Sequence, residues 1–343
     1  MKSKYGIKLS SSPRKNTYAI KMTIESAANS QSPLRVAVLA GGIGQERDIS
    51  IQSGDCVAKA LKQAGLDVIT ADIGPDNLSI LDEADIEVFF IALHGKFGED
   101  GQLQQILEDN SLIYTGSGPA ASKMAFDKMA GKKAFLKAGL KTPAAIEFTD
   151  RTEAENCRSC FLNCPGSFVV KPTRQGSTIG VTIVDSVQSA LEAAPKCLEE
   201  FGDCMIEQFI EGREITVGIL GDKVLPIIEI KSSTGFYDYH AKYVDEQTEF
   251  LFDTIDEPAL IAKINAAAMD CFSVLGCRDF GRVDFILGND GTAYILELNT
   301  IPGLTSHSLV PKAAAKAGLS MSDLCVNVIE MAMQRQKTKC YKD

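Results

Sequence analysis

Between Phe280 and Pro311 the chain reads F-G-R-V-D-F-I-L-G-N-D-G-T-A-Y-I-L-E-L-N-T-I-P-G-L-T-S-H-S-L-V-P. Two apolar-rich runs, 282–287 and 293–298, flank Gly288-Asn289-Asp290-Gly291, and Asp-Gly between such runs is a strong signal for a β-hairpin. With the turn centred on Asp290-Gly291, antiparallel pairing sets Asp284 opposite Glu297 and Arg282 opposite Asn299, and opposed residues share one face of the sheet. Two facing carboxylates repel unless something positive lies between them. A metal is the obvious candidate: the Asn299 amide oxygen completes an all-oxygen set suited to a hard cation such as Mg²⁺ or Mn²⁺. A surface hairpin with ordinary outward polar residues is the alternative. Just beyond, Pro302-Gly303 and Thr305-Ser306-His307-Ser308 offer backbone N–H groups and hydroxyls where an oxyanion or carboxylate could be held.

At 343 residues the chain is long for one core and suggests two or three domains. Its net charge of -10 argues against nucleic acid or an anionic membrane as the main partner. The longest apolar run, Val88 to Leu93, is far short of a membrane span. Ten scattered cysteines without dense disulfide spacing point to reduced cytoplasm. Cys157, Cys160 and Cys164 form one cluster that lacks a nearby fourth ligand, so a variable segment is favoured over a metal site. Residues 1–33 carry six Lys/Arg against the single acid Glu25, the composition of a disordered basic extension or a transit peptide, and Met22 would make a plausible start.

From Leu34 the pattern is strand, helix, strand: 34–40, the loop Gly41-Gly42-Ile43-Gly44, a helix ending near Gly65, and a strand at 68–73. A third strand, 88–93, ends at His94-Gly95, so the glycine loop and His94 should face one crevice at the carboxyl edge of a parallel sheet. A dinucleotide fold is the tempting alternative; Arg47 stands where its fingerprint wants glycine, and Asp72 keeps it open. A short helix is expected over 102–108, then a single helix over 120–138 whose Lys123, Lys128, Lys132, Lys133 and Lys137 read mostly as a solvated face. The strand 168–171 ends in Lys171, and the glycine-bearing segment 173–180 with the strand 181–184 reads as a mobile β-flap over phosphates, with a plain surface hairpin as the alternative. Strands at 205–210 and 214–219 hold Glu207, Phe209-Ile210 and Glu214, an apolar segment bounded by acids that suits adenosine. The aromatic stretch 236–243 has the composition of a functional loop or lid.

Taken together, Gly41-Gly42-x3-Glu46-Arg47-Asp48-Ile49-Ser50, His94-Gly95-x3-Glu99-Asp100-Gly101, Tyr114-Thr115-Gly116-Ser117, Asp127-Lys128, Lys171-Pro172, Gly176-Ser177-Thr178-x-Gly180, Tyr237-Asp238-Tyr239-x-Ala241-Lys242-Tyr243, Gly281-Arg282-x-Asp284 and Glu297-x-Asn299-Thr300-x-Pro302-Gly303 with Ser306-His307-Ser308 resemble the D-alanine–D-alanine ligases of the ATP-grasp superfamily, from about Val36 to Met333. The family usually has Ser where this chain has Gly44. The resemblance implies an α/β ATP-grasp fold: an N-terminal open parallel domain (34–122), a central ATP-grasp subdomain (123–210), a C-terminal subdomain with the metal site (211–336) and a tail (337–343). It implies a cytoplasmic enzyme of peptidoglycan precursor synthesis in which ATP phosphorylates one D-alanine and a second attacks the acyl phosphate. It assigns Lys128, Lys171 and Lys242 to phosphates, Glu207, Phe209, Ile210 and Glu214 to adenosine, and Asp284, Glu297 and Asn299 to two Mg²⁺ or Mn²⁺ ions. Glu46 would take the first substrate's ammonium with Ser177 and Tyr243 beside it, His94 would border that substrate, Arg282 and the Gly303 N–H would stabilise the oxyanion, and Ser308 with the Leu309 N–H would hold the second carboxylate. The expected partners are D-alanine and ATP, with no nucleic acid or membrane, in a homodimer. D-lactate or D-serine as second substrate, and a nucleotide-binding protein without catalysis, are the competing readings; Tyr243 favours the amine acceptor over D-lactate.

Overall fold

The computed structural model describes residues 32–150, 152, 154–162, 164, 166–231 and 248–340, the last four as backbone. The expectations for 1–31, for the aromatic stretch 236–243 and for 341–343 lie outside these residues. The described chain from Pro33 forms one compact unit.

Its first layer is a parallel sheet of β1 (Arg35–Gly41), β2 (Asp67–Ile73) and β3 (Val88–Ile91), in the order β2-β1-β3. Val36 to Ala40 are buried without alternation, as a central parallel strand covered on both faces requires. The bridge Phe89↔Tyr114 adds one more parallel pairing beyond β3. Helix α1 (Arg47–Gln63) covers one face, and α2 (Gln102–Asp109) follows the turn after His94. The single helix expected over 120–138 is two, α3 (Pro119–Phe126) and α4 (Lys128–Lys137). Asp127 causes the break: its backbone is extended, and its carboxylate accepts the Ala130 N–H at 3.0 Å as the N-cap of α4.

The second layer is a four-stranded sheet of β4 (Ala145–Phe148), β5 (Phe168–Lys171), β6 (Thr182–Val184) and β7 (Cys204–Gln208), ordered β4-β7-β5-β6. Helices α5 (Ala154–Cys160) and α6 (Val187–Phe201) accompany it. Cys157 is buried in this core while Cys160 is exposed. As expected, β5 and β6 are antiparallel and joined by the glycine-bearing segment.

The third sheet holds β8 (Gly212–Leu220), β9 (Lys223–Val224), β10 (Ile228–Lys231), β11 (Glu249–Phe252), β12 (Phe280–Gly288) and β13 (Ala293–Asn299), with β12 between β8 and β13. Arg282 pairs with Asn299 and Asp284 with Glu297, the register expected from sequence. Nearer the turn the pairing differs: Phe285 faces Ile295, so Leu296 is an extra residue, and Leu287 pairs with Ala293 around a longer loop. The bulge and the longer loop offset each other, which leaves the expected pairing intact at the site. Helix α7 (Pro258–Val274) packs on this sheet. Helices α8 (Leu309–Lys316) and α9 (Met321–Cys340) return to the start of the chain, where Val310, Ala313, Val328 and Ala332 share a core with Val36, Val57 and Leu61.

Candidate active site

The β12–β13 hairpin brings four polar side chains to one face. Asp284, 8% exposed, accepts from Thr216 Oγ1 on β8 at 2.6 Å, from Asn299 Nδ2 at 2.9 Å, and from Arg282 Nε and Nη2 at 2.8 and 2.6 Å. Glu297 Oε2 lies 2.8 Å from Lys128 Nζ. The charge that separates the facing acids is thus supplied by Arg282 and Lys128, and the two carboxylates with the Asn299 oxygen are a donor set that fits a hard divalent cation keeping water or phosphate oxygens in its remaining positions. Among the described residues there is no group of three or more His, Cys, Asp or Glu that could hold a metal, so two acids and one amide are what these residues offer here.

A cavity of about 380 Å³ opens between the second and third sheets beside this hairpin. Val169, Phe209, Ile210, Ile286 and Leu296 give it apolar walls, and Lys128, Lys171, Glu207, Glu214, Asp284 and Glu297 give it charge. A slot of this size with apolar walls and few convergent polar groups suits a small ligand with a flat ring system and an anionic end. Its floor holds Glu207, 2% exposed, whose Oε2 accepts from Lys171 Nζ at 2.5 Å and whose Oε1 pairs with Lys132. Burial would raise the Glu207 carboxyl, but the two ammonium groups outweigh it and hold it below the ordinary range. Lys128 is partly buried; Glu297 overcomes the desolvation that would lower it and leaves it above its ordinary value. Its ammonium also donates to the Gln175 carbonyl of the flap at 2.6 Å.

The flap reaches the first sheet through Ser177, which donates to Glu46 Oε1 at 2.6 Å. Glu46 precedes α1 at the end of the glycine loop. A side chain at Gly95 or Gly176 would place its Cβ 2.8–2.9 Å from the Glu46 carboxylate oxygens, so glycine at both positions lets two backbones close around that acid. Arg47 donates to the Gly42 carbonyl at 3.0 Å and pairs with Asp72, which occupies the acid that a dinucleotide site would need for ribose.

His94 is buried, with both ring nitrogens engaged. Its Nδ1 donates to the Ile301 carbonyl at 2.9 Å, and its Nε2 accepts from Ser53 Oγ at 3.1 Å, while Ser53 accepts the Leu304 N–H at 3.2 Å. Burial lowers its pKa, in keeping with this neutral tautomer. His94 therefore braces the 301–304 segment that carries Gly303. Ser308 stands at the N-terminal cap position of α8, but its hydroxyl bonds instead to the Thr305 N–H at 3.0 Å and to Thr305 Oγ1 at 2.9 Å, leaving the Leu309 N–H in the open first turn of the helix. Lys242 and Tyr243 lie outside the described residues.

Two groups at the site were not singled out from sequence. Lys132 is 2% exposed and not part of a solvated face, because the break at Asp127 starts a new helix and turns this residue inward to Glu207. Glu99, read as part of a turn, is half-buried; desolvation and the nearby Glu46 push it up to about 8, against the N–H groups of Gly95 and Ile301 and the charge of Arg282. A half-buried acid accepting the Gly95 N–H at 2.7 Å leaves no signal in local spacing.

Residues 135–330 match the family model described as D-ala D-ala ligase C-terminus. The D-alanine–D-alanine ligase of Methylacidiphilum infernorum is 37% identical over 312 residues, 90% of this chain and 99% of that protein; that of Desulforamulus reducens is 40% identical over 311 residues, 88% of this chain and 99% of that protein. The D-alanine–D-alanine ligase of Bacillus anthracis superposes with a TM-score of 0.77 at 34% identity, covering 89% of this chain and 99% of that one; its crystal structure with ATP gives 0.76. The sheets, the flap and the cavity between them are thus an ATP-grasp architecture, and identity at this level along nearly the whole length of the relatives settles descent as well as shape: the chain belongs to the D-alanine–D-alanine ligase family.

Proposed function

We propose that this chain joins two molecules of D-alanine into D-alanyl-D-alanine, converting ATP to ADP and phosphate through a D-alanyl phosphate, as a cytoplasmic step of peptidoglycan precursor synthesis carried out by a homodimer. The observation that supports it most is the meeting of three elements at one cavity: the Asp284–Glu297 face, the lysine-lined slot and the Glu46–Ser177 contact at its mouth. The ranges 34–122, 123–210 and 211–336, each containing one of the three sheets, are taken as the three lobes of the clamp.

In the first step a carboxylate oxygen of one D-alanine attacks the γ-phosphorus and ADP leaves. Phosphoryl transfer needs positioning and charge neutralisation more than covalent help. Glu46, steadied by the Ser177 hydroxyl and on the family pattern by Tyr243, holds the substrate ammonium. Phe209, Ile210 and the ends of Glu207 and Glu214 frame adenosine, and Lys128, Lys171 and Lys242 take the phosphates. Asp284, Glu297 and Asn299 would hold two Mg²⁺ or Mn²⁺ ions, which when bound offset the charge of the phosphate oxygens. In the second step the deprotonated amine of the other D-alanine attacks the acyl carbon, the oxyanion is met by Arg282 and the Gly303 N–H, and phosphate departs as the C–O bond breaks. Ser308 and the Leu309 N–H receive the second carboxylate. His94 acts from behind the substrate by fixing the segment that carries Gly303.

The test is to incubate the protein with ATP, Mg²⁺ and D-alanine, D-serine or D-lactate, measuring phosphate release and identifying the product. Dipeptide from D-alanine alone is the expected result. Nucleotide binding without phosphate release would refute catalysis, and preferential D-serine or D-lactate incorporation would refute the choice of second substrate.

A further inference from the structure

Lys132 lies one turn beyond Lys128 on α4, and the ligase reading gives it no task. Its ammonium pairs with Glu207, donates to Thr142 Oγ1 at 2.6 Å, and is locked there because Thr142 donates in turn to the Ile295 carbonyl at 2.7 Å. Glu207 also receives Lys171, so two ammonium groups on one carboxylate leave one positive charge in excess in a buried place. Desolvating a second ammonium is costly where one would neutralise the acid; burial lowers Lys132 to about 8, which still leaves it mostly protonated at neutral pH. The two lysines differ in position. Lys171 lines the cavity, whereas Lys132 stands behind Glu207 and does not.

We propose that Lys132 is a positioning residue, the permanent counter-ion that keeps Glu207 ionised when Lys171 turns to the nucleotide's phosphates, and that it thereby makes the pocket select adenine over a purine with a carbonyl at the same ring position. The proposal rests on the reading that a nucleotide fills this cavity with its base at Glu207. An ionised carboxylate only accepts hydrogen bonds, so it matches the exocyclic amine of adenine and opposes the carbonyl oxygen of hypoxanthine. Stripped of both cations, a carboxylate 2% exposed takes up a proton instead of remaining charged. Its O–H then donates to that carbonyl, and the discrimination is lost. Lys132 prevents this because Thr142 and the Ile295 carbonyl hold it in place whether or not the cavity is filled.

The experiment compares ATP with inosine triphosphate in the full chain, by D-alanine-dependent phosphate release and by calorimetric binding. Lys132→Gln is expected to lower the ATP-to-inosine ratio of kcat/KM about tenfold, near the lower end of what an unsatisfied buried polar group costs, and Lys132→Arg to restore it. A residue that merely supports the fold would lower the melting temperature and weaken both nucleotides alike, so an unchanged ratio overturns the proposal. If Lys132→Gln does not fold, Thr142→Val is read in the same assays; a shift in the same direction of about threefold is expected from one lost hydrogen bond, and an unchanged ratio again overturns it. A wild-type chain that binds ATP but releases no phosphate would refute the ligase reading while the binding ratio still reports on Lys132.

Discussion

Glu99 ties stability to pH in a direction opposite to that of most acids. Its carboxyl is half-buried near Glu46 and accepts the Gly95 N–H at 2.7 Å, and desolvation raises it from an ordinary 4.5 to about 8. Between those values the folded chain holds a proton that the unfolded chain has released. The stabilisation is therefore complete below the unfolded value and disappears as the pH rises through the folded one, at about 1.4 kcal/mol per pH unit and about 5 kcal/mol over the whole interval. Glu99→Gln is nearly isosteric with the protonated acid and keeps an acceptor for Gly95, but it cannot ionise. Other groups titrate alike in both proteins, so the difference between them isolates this one. Urea denaturation at several pH values should show the variant gaining on the wild type by as much as about 4 kcal/mol from about pH 5 to about pH 8. Stability curves that run parallel over that range would refute the proton-bearing Glu99.

Glu297→Gln keeps the shape of the hairpin face and removes one of its two charges, so kcat should fall on the order of 10²-fold; near-normal turnover at saturating Mg²⁺ would sink the metal assignment. Asp127→Ala removes the cap of α4 and the partner of Arg174 Nε at 3.0 Å. About 1 kcal/mol of stability should be lost, together with a higher KM for ATP because the base of the flap is untied; an unaltered melting temperature would contradict the capping role. Tyr243→Phe, placed by the family pattern beside Ser177 and Glu46, should leave folding and ATP binding nearly intact and allow some D-lactate to be joined. Dipeptide and depsipeptide formation measured side by side decide it, an unchanged product ratio counting against the lid role.

What the sequence made legible was set by range. The pairing of Asp284 with Glu297 followed from period two and the Asp-Gly turn, and it survived although the turn is longer than two residues, because the bulge at Leu296 restores the count. Nothing in the local pattern could have revealed that compensation, since the apolar runs read alike with or without the extra residue. Lys132 was missed for a related reason. A helix carried unbroken through Asp127 assigns the wrong phase to everything after it, and the partner that makes a buried lysine tolerable arrives from β7, far along the chain. Asp279, Tyr114 and Arg335 form another such case: Arg335 on α9 donates to the Tyr114 carbonyl at 2.7 Å and pairs with Asp279, which accepts the Gly116 N–H at 2.8 Å. These bonds tie the first sheet to β12 across separations that no spacing rule spans. Glu46, His94 and Ser308 were named by motif, which also set Ser177 beside Glu46, the contact the structure holds at 2.6 Å, but said nothing of the bonds from His94 to the Ile301 carbonyl and Ser53.

Those partners bear on how ligands enter. Three of the cations assigned to phosphate or oxyanion are already paired with acids of the same site: Lys171 with Glu207, Lys128 with Glu297 and Arg282 with Asp284. On these assignments a nucleotide would exchange partners instead of meeting bare charges. Drawing Lys128 towards a phosphate exposes Glu297, and drawing Arg282 towards an oxyanion exposes Asp284; each movement leaves an acid on the metal face without its counter-charge. A divalent cation held by Asp284, Glu297 and Asn299, as proposed, would supply the counter-charge that both acids lose. Phosphate and cation should consequently each raise the affinity for the other by the same factor, and a monophosphate with little hold on a cation should bind weakly even though the lysines are in place. On the same assignments the exchange at Glu207 would lack a metal to complete it, which fits the second ammonium, Lys132, held against that acid.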